Sequence, residues 1–505
     1  MSRSSLFINN SLAMALQKAV MMLAAFIIPR ILITTYGSSI NGLVVSVTQF
    51  VAYFVLVEAG ISGASIYALY KPLADKNFSA INSILSASKR FYLFSGYIFL
   101  SLVVLLAILY PYIIHGNVLP SWKISIIVLA LGTSGALDFF TLSKYRVLLT
   151  ADQRSYVISV AQIAYWGLNV VLTYILAKLQ CDITLVEVLL LSSVFLRSFI
   201  LWNYARKHYN YLNYSVKPDY TALKDRWNVL YLQILGSIQS ACPIVLVTIF
   251  LQIKDVSIYA IYNMVVGGMD GILSIFVSGL SAAFGDVIAR KQKRTLKKTY
   301  KEFEQAYYVL ITVVYGTALL LIIPFISLYT KGVNDANYVL PTLGAMCVLN
   351  GFLYNLKTPQ GMLVISAGMY RQTRWQSTTQ GLIALLGGLI GIQFFDIYGV
   401  VGGLILSNIY RDIDLLFFVP KHITKLSHLR TIKHIMAALI ALIPIFFVFV
   451  KCPPTVSNFT DWIIHAVVIT SALSVWVLIV NLFFDYNNML NIYKRLKDIV
   501  LNRLK

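Results

Sequence analysis

Apolar stretches of about 18–28 residues, broken by short polar segments, recur along the whole 505-residue chain. Each is long enough to cross ~30 Å of hydrocarbon as a helix. The pattern predicts about fourteen helices, over residues 11–36, 40–70, 91–114, 123–143, 156–179, 185–204, 228–252, 256–286, 305–329, 338–368, 377–395, 400–420, 435–450 and 462–484. No alternating strand pattern competes with them, so the expected fold class is all-α, a polytopic membrane protein.

Composition agrees. Hydrophobic residues make up 58% and charged residues 12%, whereas a soluble domain carries about a quarter charged residues. A mean hydropathy of +0.76 excludes a chain of soluble domains joined by polar linkers. The opening residues MSRSSLFINN are polar, and the apolar stretch after them is too long for a signal-peptide core. The first helix is therefore expected to stay as an anchor. Cys181, Cys242, Cys347 and Cys452 show no metal-ligand or redox spacing and read as apolar filler.

A net charge of +21 would suggest nucleic acid in a soluble chain. Here 31 of the 41 basic residues fall at the amino terminus, in alternate loops and in the tail. The opposite loops hold only Lys123, Lys178, Lys254, Lys331 and Lys451. The positive-inside rule then places both termini in the cytoplasm, and no nucleic acid is expected. In the tail, Leu490, Tyr493, Leu496, Val500 and Leu504 lie at helical spacing with bases between them. That is an amphipathic helix, either against an anionic leaflet or simply anchoring topology.

Four pairs of segments repeat in order. Gly60–Ser65 matches Gly279–Phe284, Val147–Ala151 matches Leu363–Ala367, Ser193–Arg197 matches Ser407–Arg411, and Lys207-His208 matches Lys421-His422. The offsets, about 214–219 residues, each contain six helices, so the halves share one orientation as parallel repeats. The expected organisation is an N-terminal six-helix lobe (1–210), a C-terminal six-helix lobe (211–434), an additional helix pair (435–484) and a cytoplasmic tail (485–505).

The segments YGSSINGLVVSVTQFVAYFVLVEAGISGASIYALYKPLADKN, YRVLLTADQRSY and YAIYNMVVGGMDGILSIFVSGLSAAFGDVIA, taken in order with the helix count, resemble the bacterial Wzx-type polysaccharide flippases. Those belong to the multidrug/oligosaccharidyl-lipid/polysaccharide (MOP) exporter superfamily, with the MATE drug exporters and the MurJ-type lipid II flippases. The resemblance implies two lobes around a central cavity and inward- and outward-facing states. It implies an undecaprenyl-diphosphate-linked oligosaccharide as substrate, flipped from the cytoplasmic to the periplasmic leaflet of the bacterial inner membrane for O-antigen or related glycan assembly. It also implies membrane lipids, a polymerase and other glycan-assembly proteins as partners, and a monomer as the working unit.

Charges inside the hydrocarbon carry the candidate chemistry, because each costs ~2.5–3.5 kcal/mol or more to insert. Five bases remain within the predicted helices: Lys18, Arg30, Arg197, Lys357 and Arg411. They could hold a diphosphate, or they could snorkel or pair within the protein. Glu58, Asp138 and Asp270 are candidate coupling carboxylates for protons or sodium, the alternative being pairing with a neighbouring base; Asp412 and Asp414 complete the intramembrane acids. No catalytic residue, metal or cofactor is expected, and no GxxxxGK[ST] motif is present for ATP hydrolysis. A multidrug cation exporter of the same fold is the alternative, although such a cavity favours acids and aromatics. A glycan polymerase is the third reading. It is disfavoured by short outer loops with few acid/base candidates.

Overall fold

The computed structural model describes residues 3–58, 61–116, 118–219, 242–369 and 371–503. Among them 86% are helical and no strand forms. In chain order the helices are α1 (Arg3–Thr35), α2 (Ser38–Phe54), α3 (Ile61–Ala74), α4 (Phe78–Ile113), α5 (Ser121–Leu137), α6 (Ser143–Ala151), α7 (Ser155–Lys178) and α8 (Ile183–His208). Residues 242–250 form α9. Then come α10 (Ile253–Ala289), α11 (Lys293–Tyr329), α12 (Pro341–Leu356), α13 (Thr358–Ser366), α14 (Arg374–Val419), α15 (His428–Lys451), α16 (Phe459–Phe484) and α17 (Tyr486–Arg503). Ten of the described helices are long and apolar enough to cross a membrane. Phe483, Tyr112 and Tyr67 head a wide set of exposed large apolar side chains, a surface that suits lipid and not water. The chain is a multi-pass membrane protein.

The sequence pattern locates most helices but merges two pairs of short ones. The stretch 40–70 is α2, a 3₁₀ turn over Val55–Glu58, and α3. The stretch 338–368 is α12 and α13, broken at Lys357 with Pro359 in the first turn of α13. Proline is at home there because its missing N–H has no intrahelical partner. Most of the expected 228–252 helix lies outside the described residues, as do Gly60, Lys224 and Arg226.

Polar residues set several starts. Asn77 accepts from Ala80 N (3.0 Å), Asp182 from Thr184 N (2.9 Å) and Asn458 from Asp461 N (2.8 Å). Each satisfies an amide that the helix leaves bare.

α14 is a helical hairpin, as the gap between 395 and 400 predicts. Its backbone turns at Phe395 (φ −134°) and Asp396 (φ 47°, ψ −132°). The arms then pack back to back through glycine. A Cβ on Gly399 would sit 2.0 Å from the carbonyl oxygen of Gly391. Ser407 ties the arms again by donating to the Gln380 carbonyl (2.8 Å). Small residues of this kind let backbones approach where no hydrophobic force drives helices together.

The chain divides into two compact units, one of residues 1–260 with 332–336, the other of residues 261–331 with 337–505. In the first, α1 packs on α7, α7 on α8, and α4 on α5. The short segment 332–336 joins it through Asp335, which accepts from Ser38 N and Ser38 Oγ (both 2.7 Å). Gly42 of α2 lies so close to α10 that a Cβ there would meet the Ile253 carbonyl oxygen at 2.0 Å. In the second unit α11 is the hub, packed against α12, α15 and α16. Val313 of α11 meets Ala437 and Ala441 of α15 and Val477 of α16 in one buried cluster.

Candidate functional site

In the first unit the charges form an alternating chain. Glu58, at the end of the 3₁₀ turn, accepts from Arg146 of α6 at 3.1 Å. Arg146 also acts electrostatically on Asp138, which pairs with Arg197 of α8. Arg197 donates to Gln162 at 3.0 Å and stacks 4.6 Å from the Tyr165 ring centroid, both on α7. Asp138 opens a π-helical turn, Asp138–Leu142, between α5 and α6, and such turns are frequent at functional positions. Glu58, Asp138 and Arg197 are thus neutralised inside the protein. The apolar pattern ends its helix at residue 143, which makes Arg146 a loop cation. In the structure α6 continues through it and turns it inward.

Lys18 is exposed on α1, and Arg30, next to Pro29 in the same helix, is partly buried.

The second unit brings together residues from four helices. Asp270 of α10 accepts from the Tyr315 hydroxyl of α11 and from Asn355 Nδ2 of α12 (2.6 Å). Asn355 in turn accepts from the Tyr307 hydroxyl at 2.8 Å. Lys357, at the α12–α13 break, donates to Asn408 of α14, and its ammonium sits 4.6 Å from the Tyr354 ring centroid. Asn408 donates onward to Asn350 (2.9 Å). Lys357 feels both Asp270 and Asp412 electrostatically. Among the described residues the buried Asp412 oxygens accept no hydrogen bond. Arg411 is buried and held by Asp414 at 2.6 Å.

Asp270 therefore differs in kind from Glu58 and Asp138. Its hydrogen-bonding donors are a phenol and an amide, and among the described residues no ion pair compensates its charge. A carboxylate of this sort can take up a proton or bind a small cation. Lys357 is the one of the five bases held by neutral groups at a helix break.

Tyr315 has a second role. Its ring helps line a groove of about 460 Å³ walled by α11, α12 and α15, with Leu319, Met346, Phe352, Leu439 and Phe446 among the lining side chains. The lining is almost wholly apolar, and the Tyr315 hydroxyl is where the groove meets the Asp270 cluster.

Two buried acids escape the sequence reading. Glu187 of α8 is 5% exposed and has no ion-pair partner among the described residues. It stands inside the predicted 185–204 helix as a lone acid in an apolar run, which was the available signal. Glu304 of α11 is fully buried, accepts from Tyr300 (2.9 Å) and Thr431 (2.9 Å), and forms an ion pair with Arg430 at 3.1 Å. The apolar pattern starts at residue 305 and so leaves Glu304 outside.

Comparison with solved structures decides the architecture. A lipid II flippase MurJ in an inward closed conformation superposes with a TM-score of 0.67 over 95% of this chain and 99% of that one, at 14% identity. An inward-facing multidrug resistance MATE family transporter of the MOP superfamily gives 0.66 over 80% and 95%, at 12% identity. A MATE crystal structure in the bent conformation gives 0.55 over 86% and 97%, at 12% identity. The fold is MATE/MurJ-like. No family model matches the sequence, and no curated protein matches it. At 12–14% identity these likenesses show the fold.

Proposed function

We propose that the protein is a flippase of the MOP superfamily that carries an undecaprenyl-diphosphate-linked oligosaccharide from the cytoplasmic to the periplasmic leaflet of the inner membrane by alternating access. The observation that carries this reading is the apolar groove ending on Tyr315. A lipid-linked substrate needs an apolar track for its chain beside a polar region for its head group. The groove and the Asp270–Lys357 cluster supply that pairing within one unit. The fold shared with a lipid II flippase along almost the whole of both chains supports the same reading.

Asp270 is the coupling carboxylate in this account, with protons or sodium as the coupling ion. Lys357 is the cation that meets the diphosphate. Both termini lie in the cytoplasm, and the protein works as a monomer beside glycan-assembly partners such as a polymerase.

One observation favours a second reading. Around the break at Lys357 three carboxylates, Asp270, Asp412 and Asp414, stand against two bases, Lys357 and Arg411, which suits a cationic substrate and hence a multidrug exporter. Complementation separates the two. A strain lacking its own flippase should regain surface glycan with the wild-type chain and lose it with Lys357→Ala or Asp270→Asn at equal protein level. Drug hypersensitivity of a deletion strain with normal surface glycan would favour the exporter.

A further inference from the structure

Where α6 and α8 meet in the first unit, two hollows share a wall made of Tyr145 and Trp202. One, of about 350 Å³, is polar and has Arg206, Tyr209 and Tyr214 around it. The other, of about 440 Å³, runs along Phe140, Phe195 and Phe199, with Lys144 at its edge. Phe195, Phe199 and Trp202 follow one another on a single face of α8 and are 57%, 58% and 41% exposed. Helical geometry stacks such positions in a stripe along the helix.

The bases here are arranged without acids. Lys89 and Lys144 both lie over the Tyr214 ring, at 5.4 and 5.2 Å, and Arg206 lies 5.4 Å from the Trp202 ring. Among the described residues none of the three has a carboxylate within ion-pair distance. Among the described residues the buried Tyr214 hydroxyl has no hydrogen-bond partner. Burial lowers the pKa of Lys144, and the neighbouring Lys89 lowers it further. Like charges held together beside an unused donor favour an anion between them. The apolar hollow next to them gives that anion a place for a hydrocarbon chain.

We propose that Trp202 marks a binding site for an anionic membrane phospholipid. The phosphate is held between Arg206 of the polar hollow and Lys144 of the apolar one, where the two meet at Tyr145 and Trp202, and one acyl chain lies along Phe199 and Phe195. Tryptophan at the boundary between head group and chain is the side chain such a position favours, and basic pockets between transmembrane helices are a known way of holding lipid head groups. The site lies outside the groove and the Asp270 cluster, so it does not depend on the transport reading.

The test titrates the purified, delipidated full-length protein with phosphatidylglycerol, and separately with phosphatidylcholine of the same chains, by native mass spectrometry. The wild type should bind phosphatidylglycerol more tightly. K144Q/R206Q should weaken that binding about thirtyfold and leave phosphatidylcholine unchanged. Unchanged phosphatidylglycerol binding in the variant, or equal affinity of the wild type for both lipids, overturns the proposal. A third arm uses geranylgeranyl diphosphate. If it binds through the same two bases and phosphatidylglycerol does not, the site belongs to a prenyl diphosphate and the phospholipid assignment fails. Should the double variant not fold, raising the salt on the wild type replaces it. Phosphatidylglycerol binding must weaken while phosphatidylcholine binding does not, and indifference to salt overturns the proposal.

Discussion

The hydroxyl of Tyr315 donates to the carboxylate of Asp270, 45 residues earlier, while the ring of the same tyrosine lines an apolar groove. One side chain thus touches both a buried charge and a surface fitted to hydrocarbon. A change in the protonation or cation occupancy of Asp270 has to alter the hydrogen bond of Tyr315, and through it the groove. Under the proposed function, this is the physical route by which a coupling ion would reach a lipid chain.

Asp270→Asn keeps the shape of the side chain and removes its charge. Transport measured in proteoliposomes should fall about tenfold or more, with little change in thermal unfolding. Tyr315→Phe, which cuts the link but leaves the groove apolar, should give a smaller loss. Wild-type flux in Asp270→Asn would remove Asp270 from the mechanism.

Glu304 and Glu302 offer a paired test of burial. Glu304→Ala leaves Arg430 and Thr431 facing an empty, dry site and should cost about 3–5 kcal/mol, read as a lower unfolding midpoint. Glu302→Ala removes a 2.5 Å pair with Arg495, whose side chain is 51% exposed, and should cost under about 1 kcal/mol. Equal effects would contradict the assignment of Glu304 as the structural pin between α11 and α15.

The turn of α14 makes a third expectation. Gly399→Ala would force a Cβ into the Gly391 backbone and should reduce folded protein by several kcal/mol of destabilisation, above the ~1–3 kcal/mol usual for overpacking, because backbone cannot give way. Gly402→Ala meets nothing within 4 Å and should be tolerated. Asp396→Gly should raise the unfolding midpoint, since φ 47° with ψ −132° suits glycine and costs other residues about 1–3 kcal/mol. Detergent-solubilised yield and thermal scans of the three variants decide it.

The hairpin and the short helices show what a sequence can and cannot reveal here. The arms of α14 are legible because Asp396 interrupts two apolar runs, and Gly391 and Gly399 sit ready beside the turn. The breaks at Val55–Glu58 and at Lys357 are not, because hydropathy continues across them and only Pro359 hints at the second. The candidate acids Glu58, Asp138 and Asp270 could be named from their cost in a membrane. What separates them is the partner: an arginine for the first two, Tyr315 and Asn355 for the third. Partners supplied by distant helices leave no trace in local periodicity, which is also why Glu304 escapes notice at the end of a basic run.

Acid should loosen one contact outside the spans. Lys123 donates to Asp182 at 2.5 Å and holds its carboxyl below the usual range, with Thr184 adding to the effect. A lowered folded-state pKa stabilises above the ordinary aspartate value of ~3.9, and that stabilisation disappears as pH falls through the folded-state value. Because the Asp182 side chain is 45% exposed, the contribution is at most about 1 kcal/mol. Asp182→Asn retains the helix cap and removes only the charge. The gap in unfolding midpoint between wild type and variant should be constant from neutral pH to about pH 5 and close below about pH 4. A gap that persists in acid would assign it to packing.

The central claim is that this chain moves a lipid-linked oligosaccharide across a bilayer, and reconstitution measures it. Purified protein in proteoliposomes would receive undecaprenyl-diphosphate oligosaccharide with its glycan labelled on one leaflet. Accessibility of the label to a membrane-impermeant modifying enzyme would then be followed with and without a proton or sodium gradient. The account predicts gradient-dependent transfer to the opposite leaflet by the wild type and loss of transfer in Asp270→Asn. Transfer no faster than in empty liposomes, together with gradient-driven efflux of a cationic dye from the same vesicles, would contradict it.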